Sequence, residues 1–144
     1  MKQTKRFISL LLVAFMLTAL LPSALLTAFA ATNVSGTVYA SDLAGNASLN
    51  LNGNTTLVMD IDKTLSSIGG SSYSLNITGN KTLTFNTNEC AIYAKDITIA
   101  SSVVINSTSK EHFAIAASNS FNFNGESLYV RCGFGIRAID GNID

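Results

Sequence analysis

A short apolar pattern recurs every 22 to 26 residues, and this repeat restricts the fold more than any other feature of the sequence. Each copy is an apolar, a variable and an apolar residue, and the copies are Leu49-Asn50-Leu51, Leu75-Asn76-Ile77, Ile97-Thr98-Ile99 and Phe121-Asn122-Phe123. Repeats of this length are typical of stacked units that bury their apolar faces only against each other. A further copy begins at Ile143, so the sequence predicts a solenoid that is truncated within its last turn.

Each repeat contains three short strand-like pieces, and the three series keep step along the chain. The second pieces are 57–61, 83–85, 103–105 and 128–130, and the third are 92–94, 115–117 and 136–138, with a weaker counterpart at 65–68. Apolar and variable residues alternate in these pieces, as in strands with one buried face. The only proline is Pro22, so every later residue can donate a backbone hydrogen bond.

These features predict an all-β fold, a parallel β-helix of about four coils. Strands at intervals of about 8 to 12 residues also fit a β-sandwich. We favour the β-helix because the strands of a sandwich have no reason to form three equivalent series. Residues 49–144 are expected to form the coils. Residues 31–48 are expected to form an N-terminal cap, in which Val34, Val38 and Leu43 cover the open end of the stack.

The first 30 residues have the pattern of a signal peptide. Lys2, Lys5 and Arg6 precede an apolar run that ends at Pro22, and Ala28-Phe29-Ala30 fits a signal-peptidase site. An uncleaved membrane anchor is the alternative, because the apolar stretch nearly reaches the length that spans a bilayer. We favour cleavage after Ala30, which predicts an exported protein without membrane attachment.

Charge and motifs argue against several classes of function. The whole chain has nine basic and nine acidic residues, and three of the basic ones lie in the expected signal peptide, which leaves six against nine and a net charge of −3. This balance provides no electrostatic footprint for nucleic acid. The chain has no G-x-S-x-G, phosphate-loop or H-E-x-x-H motif. The single His112 has no ligand partner at metal-site spacing, so we expect no metal or other cofactor.

Asp60 and Asp62 are candidates for acid–base chemistry, because the alternation turns Met59 and Ile61 inward and both aspartates to one outward face. They begin like a calcium loop, but Leu65 stands where that loop needs glycine and Ser71 where it needs glutamate. Paired carboxylates can also cleave polysaccharides. Thr84 and Val104 are expected to occupy the neighbouring positions on adjacent coils and provide no catalytic partner. We therefore interpret this face as solvated and predict that the protein is not an enzyme.

Aromatic and cationic side chains provide the candidate binding site. The alternation places Tyr93 and Tyr129 outward, together with Lys95 and Arg137. Tyrosine rings suit the apolar faces of sugars, and Lys or Arg can bind hydroxyl or carboxylate groups. The spacing predicts Tyr93 and Arg137 in one column, two coils apart. The same residues also fit an ordinary β-surface, in which tyrosine has good strand propensity.

Cys90 and Cys132 are not expected to form a disulfide. Cys90 belongs to the third strand series and Cys132 to the second, two coils apart. Their Cα atoms should therefore lie beyond the roughly 7 Å limit for a bridge. We expect both thiols to point inward as small buried side chains.

The second half of the chain resembles a family of secreted Gram-positive surface proteins described as carbohydrate-binding-domain-containing. The resemblance rests on the stretches SLNITGNKTLTF, AIYAKDITIASSVVIN, FAIAASNSFNFNG and GIRAIDGNID, and on the KRFISLLL opening. The segment AIYAKDITI, residues 91–99, matches the family pattern YAIYAxGxITI. The resemblance implies a right-handed parallel β-helix at the cell surface that binds polysaccharide without a cofactor. Some relatives use calcium, but no acidic cluster in this chain supports a calcium site. Family members are longer, so the chain looks like an N-terminal fragment.

The sequence thus predicts a non-catalytic, extracellular β-solenoid that binds a polysaccharide or other glycan. The alternatives are a structural or adhesive stalk without sugar binding, and a fragment of a polysaccharide lyase or hydrolase whose catalytic coils are missing. We also expect self-association through the open C-terminal coil, because its backbone and apolar side chains would lack the next coil.

Overall fold

The strands follow one another as rungs of a stack. The structure is a computed structural model and describes residues 31–139, 141 and 143, so the expected signal peptide lies outside the described residues. The strands are β1 Thr32–Tyr39, β2 Ser48–Met59, β3 Lys63–Leu65, β4 Ser67–Gly70, β5 Leu75–Gly79, β6 Thr82–Thr87, β7 Ile92–Ile99, β8 Ser102–Ser107, β9 Ile115–Phe123, β10 Leu128–Arg131 and β11 Ile136–Ala138. A short 3-10 turn, Ala40–Asp42, follows β1.

Strands of successive turns pair in parallel and form two sheets. The first sheet has the order β1-β2-β4-β7-β9-β11, and β5 pairs with β2 and β7 beside that path. The second sheet contains β3, β6, β8 and β10. The register shifts between Ala94 and Asp96, so the first sheet turns a corner within the long strands. The molecule is a β-solenoid of about five turns, which confirms the predicted parallel β-helix.

The core consists of inward columns that run along the stack. Leu75, Ile97 and Phe121 pair in one column, and Ile77, Ile99 and Phe123 pair in the next, as the repeat predicts. The second sheet adds the column Leu65, Phe85, Ile105 and Val130. The third series adds Ile68, Ile92, Ile115 and Ile136. Strict alternation brings these side chains to one face, so every turn buries its apolar residues against its neighbours.

The predicted assignment of the first strands to the three series was wrong, because each belongs one place earlier in the turn. Leu49 pairs with Ile68 of the third series, and Leu57 pairs with Ile77 of the first. Both apolar triplets lie in β2, a continuous strand of 12 residues that passes around the corner. The two halves of such a strand have the same alternation, so spacing alone does not distinguish them. β2 ends at Met59, and Ile61, which was expected to point inward, is 42% exposed.

Residues 31–48 pack against the N-terminal end of the stack. β1 pairs in parallel with β2, with Thr32 opposite Leu49 and Val38 opposite Leu57. Val34 and Leu43 are buried, and Val38 packs against the core. β1 therefore adds a rung to the N-terminal end of the stack, where the cap was expected.

The last turn is more exposed than the turn before it. Ile115 is fully buried, whereas its partner Ile136 is half-buried. Ile139 and Ile143 are 50% and 56% exposed. The predicted self-association concerns these side chains and stays a prediction.

Candidate functional site

Tyr93 lies in an outward column of the first sheet. Its partner on β4 is Gly69, and its partner on β9 is Ala116. Neighbouring strands in a sheet are about 4.8 Å apart, so a large side chain on either rung would cover the tyrosine ring. Gly69 has no side chain and Ala116 has only a methyl group. Tyr93 is 39% exposed and has no bulky partner on the adjacent strands.

Arg137 occupies the same column two strands from Tyr93, as predicted, because Ala116 pairs with both residues. Its guanidinium carbon lies 5.4 Å from the centre of the Phe113 ring. The Phe134 ring lies 5.5 Å from Phe113, and Phe134 is 55% exposed. A cation over an aromatic face is attracted by the ring, so Phe113 helps to hold the guanidinium in place.

Phe113 and Phe134 were missed in the analysis of the sequence. Each stands two residues before a third-series isoleucine, Phe113 before Ile115 and Phe134 before Ile136. This shared offset is the signal that identifies them. It was obscured because Cys90 occupies the equivalent place before Ile92 in the preceding turn.

Lys95 and Tyr129 occupy different surroundings. Lys95 is exposed at the corner where the register shifts, and its backbone N–H donates to Tyr73 O over 2.8 Å. Tyr129 is 57% exposed but lies on β10 of the second sheet, where it pairs with Val104. The structure therefore brings Tyr93, Lys95 and Arg137 to one sheet and places Tyr129 on the other.

A shallow polar groove lies on the first sheet beyond the corner from Tyr93. It has a volume of about 330 Å³. Its lining consists mainly of hydroxyl, amide and carboxylate side chains, among them Thr37, Asn54, Thr56, Ser74, Asn76, Asp96 and Thr98. The strand β7 contributes to both surfaces, with Tyr93 on one side of the corner and Thr98 on the other. Such groups can donate to and accept from sugar hydroxyls.

Asp96 joins three turns at this corner. Its carboxylate accepts hydrogen bonds from Ser74 Oγ at 3.0 Å, from Ser120 Oγ at 2.8 Å and from Asn119 Nδ2. The hydrogen bond from Asn119, followed by those from Ser120 and Ser74, lowers the pKa of Asp96 below its ordinary value of 3.8, and Lys95 lowers this pKa further. The carboxylate is thus used within the protein as a clamp between turns.

This clamp makes part of the stability dependent on pH. Because the pKa of Asp96 is lower in the folded protein, its contribution is present above the unfolded pKa of about 4 and is lost as the pH falls through the folded value. We expect Asp96→Asn to be less stable than wild type at pH 7, by about 1 kcal/mol for a network this exposed. Urea unfolding at several pH values should show the difference shrinking as the pH falls below the unfolded pKa of about 4 and then through the lower folded pKa. A difference that stays constant with pH would contradict the clamp.

Asp60 and Asp62 also bind neighbouring turns. Asp60 accepts hydrogen bonds from Ser41 Oγ at 2.6 Å and Ser41 N at 3.0 Å, and the Ser41 hydroxyl lowers the pKa of Asp60. Asp62 Oδ1 accepts from Thr82 N at 2.8 Å. The expected neighbours were wrong, because Thr84 pairs with Thr64 and not with either aspartate.

The two cysteines are free, as predicted, and both are half-buried. Burial raises the pKa of the Cys90 thiol, and its Sγ lies 3.1 Å from Ile92 O. Cys132 Sγ accepts a hydrogen bond from Gly135 N at 2.9 Å.

Two negative findings apply to residues 31–139, 141 and 143. No group of three or more His, Cys, Asp or Glu side chains in this range is arranged to hold a metal ion. No helix in the same range has both the length and the apolar character needed to cross a membrane. Comparisons with protein-family models, curated proteins and solved structures find no significant match to the chain.

Proposed function

We propose that the protein is a non-catalytic, extracellular β-solenoid that binds polysaccharide, with Tyr93 as the main contact. The observation that carries this proposal is the exposed Tyr93 ring between the small residues Gly69 and Ala116. An aromatic face without a bulky neighbour offers apolar area to the face of a sugar ring. A tyrosine that served only to stabilise the sheet would be stabilised more by larger side chains on the adjacent strands.

Nearby polar groups fit the same role. Arg137 shares the Tyr93 column, and its contact with Phe113 limits the positions of the guanidinium. Its N–H groups point in the plane of the guanidinium, so they can donate to sugar hydroxyls or carboxylates while the face stays on the ring. Lys95 adds a second cation at the corner. The groove around Thr98 extends the polar surface beyond that corner, in keeping with an extended polymer.

Retention on immobilised polysaccharides tests the proposal. We expect Tyr93→Ala to weaken retention by about tenfold or more, because an aromatic anchor at the centre of a contact contributes 1.4 kcal/mol or more, a factor of about ten. Affinity electrophoresis through gels that contain plant or bacterial polysaccharides measures this effect. Tyr93→Phe should retain binding, because the ring face remains.

Tyr129→Ala is the matched control, since it removes an exposed tyrosine from the other sheet. It should leave retention unchanged. Arg137→Ala should weaken retention less than Tyr93→Ala and should reduce its dependence on salt, as expected for a screened surface charge. If wild-type protein is not retained by any member of the panel, the polysaccharide proposal fails and a structural or adhesive role replaces it.

A further inference from the structure

A second surface, which shares no lining residue with the Tyr93 column, has the composition of an anion site. The ends of β8 and β10 and the loops that follow them line it, and they border an open pocket of about 530 Å³. Gly133 N donates to Ser109 O over 3.1 Å and ties the loops together. A Cβ atom on Gly133 would lie 2.8 Å from Lys110 Cα, so only glycine allows the loops to meet so closely. The pocket is thus built from backbone that is held in place.

The charged groups of the pocket are both cationic. Arg131 and Lys110 line it, and none of its lining residues is acidic. Glu111 follows Lys110 in the chain but is not part of the lining. Arg131 pairs with Asn106 at the end of β10, so the strand register fixes where this cation leaves the sheet.

The serine hydroxyls of the pocket are available as hydrogen-bond donors. Ser107 Oγ accepts a hydrogen bond from Ser109 N at 3.1 Å. Ser109 Oγ accepts from Glu111 N and from His112 N, each at 3.1 Å. A hydroxyl oxygen has two acceptor sites and one proton, so an oxygen occupied by backbone N–H groups keeps its proton for another partner. Both serines line the pocket beside the two cations.

We propose that this pocket binds a tetrahedral oxyanion, namely a phosphate or sulfate group. The guanidinium, the ammonium and the two hydroxyls supply more donors than two carboxylate oxygens readily accept, whereas a phosphate or sulfate ester presents three strong acceptor oxygens. Arginine binds such groups through two parallel hydrogen bonds, and lysine adds a point charge. This inference does not depend on polysaccharide binding at Tyr93, because the two surfaces share no residue.

Amide NMR of the ¹⁵N-labelled protein tests the site with inorganic phosphate and with sulfate as probes. We expect saturable shifts of the Ser109, Lys110 and Gly133 amides, with a dissociation constant of about 1 to 10 mM, as suits an exposed site. Acetate and chloride at matched ionic strength should bind at least about tenfold more weakly. A response to only one of phosphate and sulfate would identify which ester the site prefers. Equal responses to chloride or acetate would overturn the proposal.

The double variant Lys110→Gln with Arg131→Gln should lose the saturable shifts. Lys81→Gln is the matched control, because Lys81 is an exposed cation that does not line the pocket, so this variant should leave the phosphate response intact. The amides of Ile77 and Ile99 report on folding, since both side chains are fully buried. An intact core with an unchanged phosphate response in the double variant would also overturn the proposal. Loss of the response in Lys81→Gln would do so as well, because it would indicate a general effect of surface charge.

Discussion

Replacing Phe85 with alanine is expected to lower the free energy of unfolding by about 3 to 5 kcal/mol. The Phe85 side chain is fully buried and lies in the inward column between Leu65 and Ile105. Its removal loses apolar burial and leaves a cavity that strands fixed on both sides by backbone ladders cannot easily close. Chemical denaturation followed by circular dichroism measures the change.

Thr84→Ala is the control for this prediction. Thr84 precedes Phe85, is only half-buried and lies on the opposite face of β6. Its replacement should cost at most about 1 kcal/mol. A similar loss of stability in both variants would contradict the assignment of inward and outward faces in this sheet.

In a solenoid, the loss of stability caused by Phe85→Ala should also affect the neighbouring turns. Each rung contacts only its neighbours, so stability is close to a sum of the stabilities of the turns and of the interfaces between them. Phe85 belongs to two interfaces, one with Leu65 and one with Ile105. Its truncation therefore weakens the link between the N-terminal and C-terminal turns as well as its own strand.

The inward columns could be predicted from the sequence because two regularities agree there. Alternation assigns Ile97 and Ile99 to one face, and the spacing between turns aligns them with Leu75 and Ile77. Either regularity alone is insufficient, as β2 demonstrates. Its two halves alternate equally well, and the shorter first turns changed the spacing that would have distinguished them.

Of the two candidate surfaces, the one on strands could be predicted from the sequence and the one at a corner could not. The column of Tyr93 and Arg137 follows from strand register and was predicted. Phe113, Lys110 and Ser109 lie in a corner between strands, where length varies from turn to turn and alternation does not apply. Their positions depend on hydrogen bonds such as those to Ser109 Oγ, which no periodicity indicates. Repeat patterns thus locate the faces of a solenoid better than its corners.

Corner geometry leads to the second large expected effect, at Gly79. This residue ends β5 opposite Met59 and has a φ of +112°, a conformation that L side chains rarely adopt. A Cβ atom there would lie 2.4 Å from Met59 O and 2.9 Å from Met59 N. Backbone strain and overpacking each cost about 1 to 3 kcal/mol, so Gly79→Ala should destabilise the protein by about 3 kcal/mol or more.

Gly45→Ala provides the matched control, because a Cβ atom on Gly45 meets nothing within 4 Å. Its φ lies outside the region that disfavours side chains, so the substitution should be neutral or stabilise the protein by up to about 1 kcal/mol through the unfolded chain. The urea concentrations at the unfolding midpoints of Gly79→Ala and Gly45→Ala measure the difference directly. Equal midpoints would mean that β5 moves away from Met59 at little cost in free energy. The close approach of successive turns at this corner would then contribute little to the order of the stack.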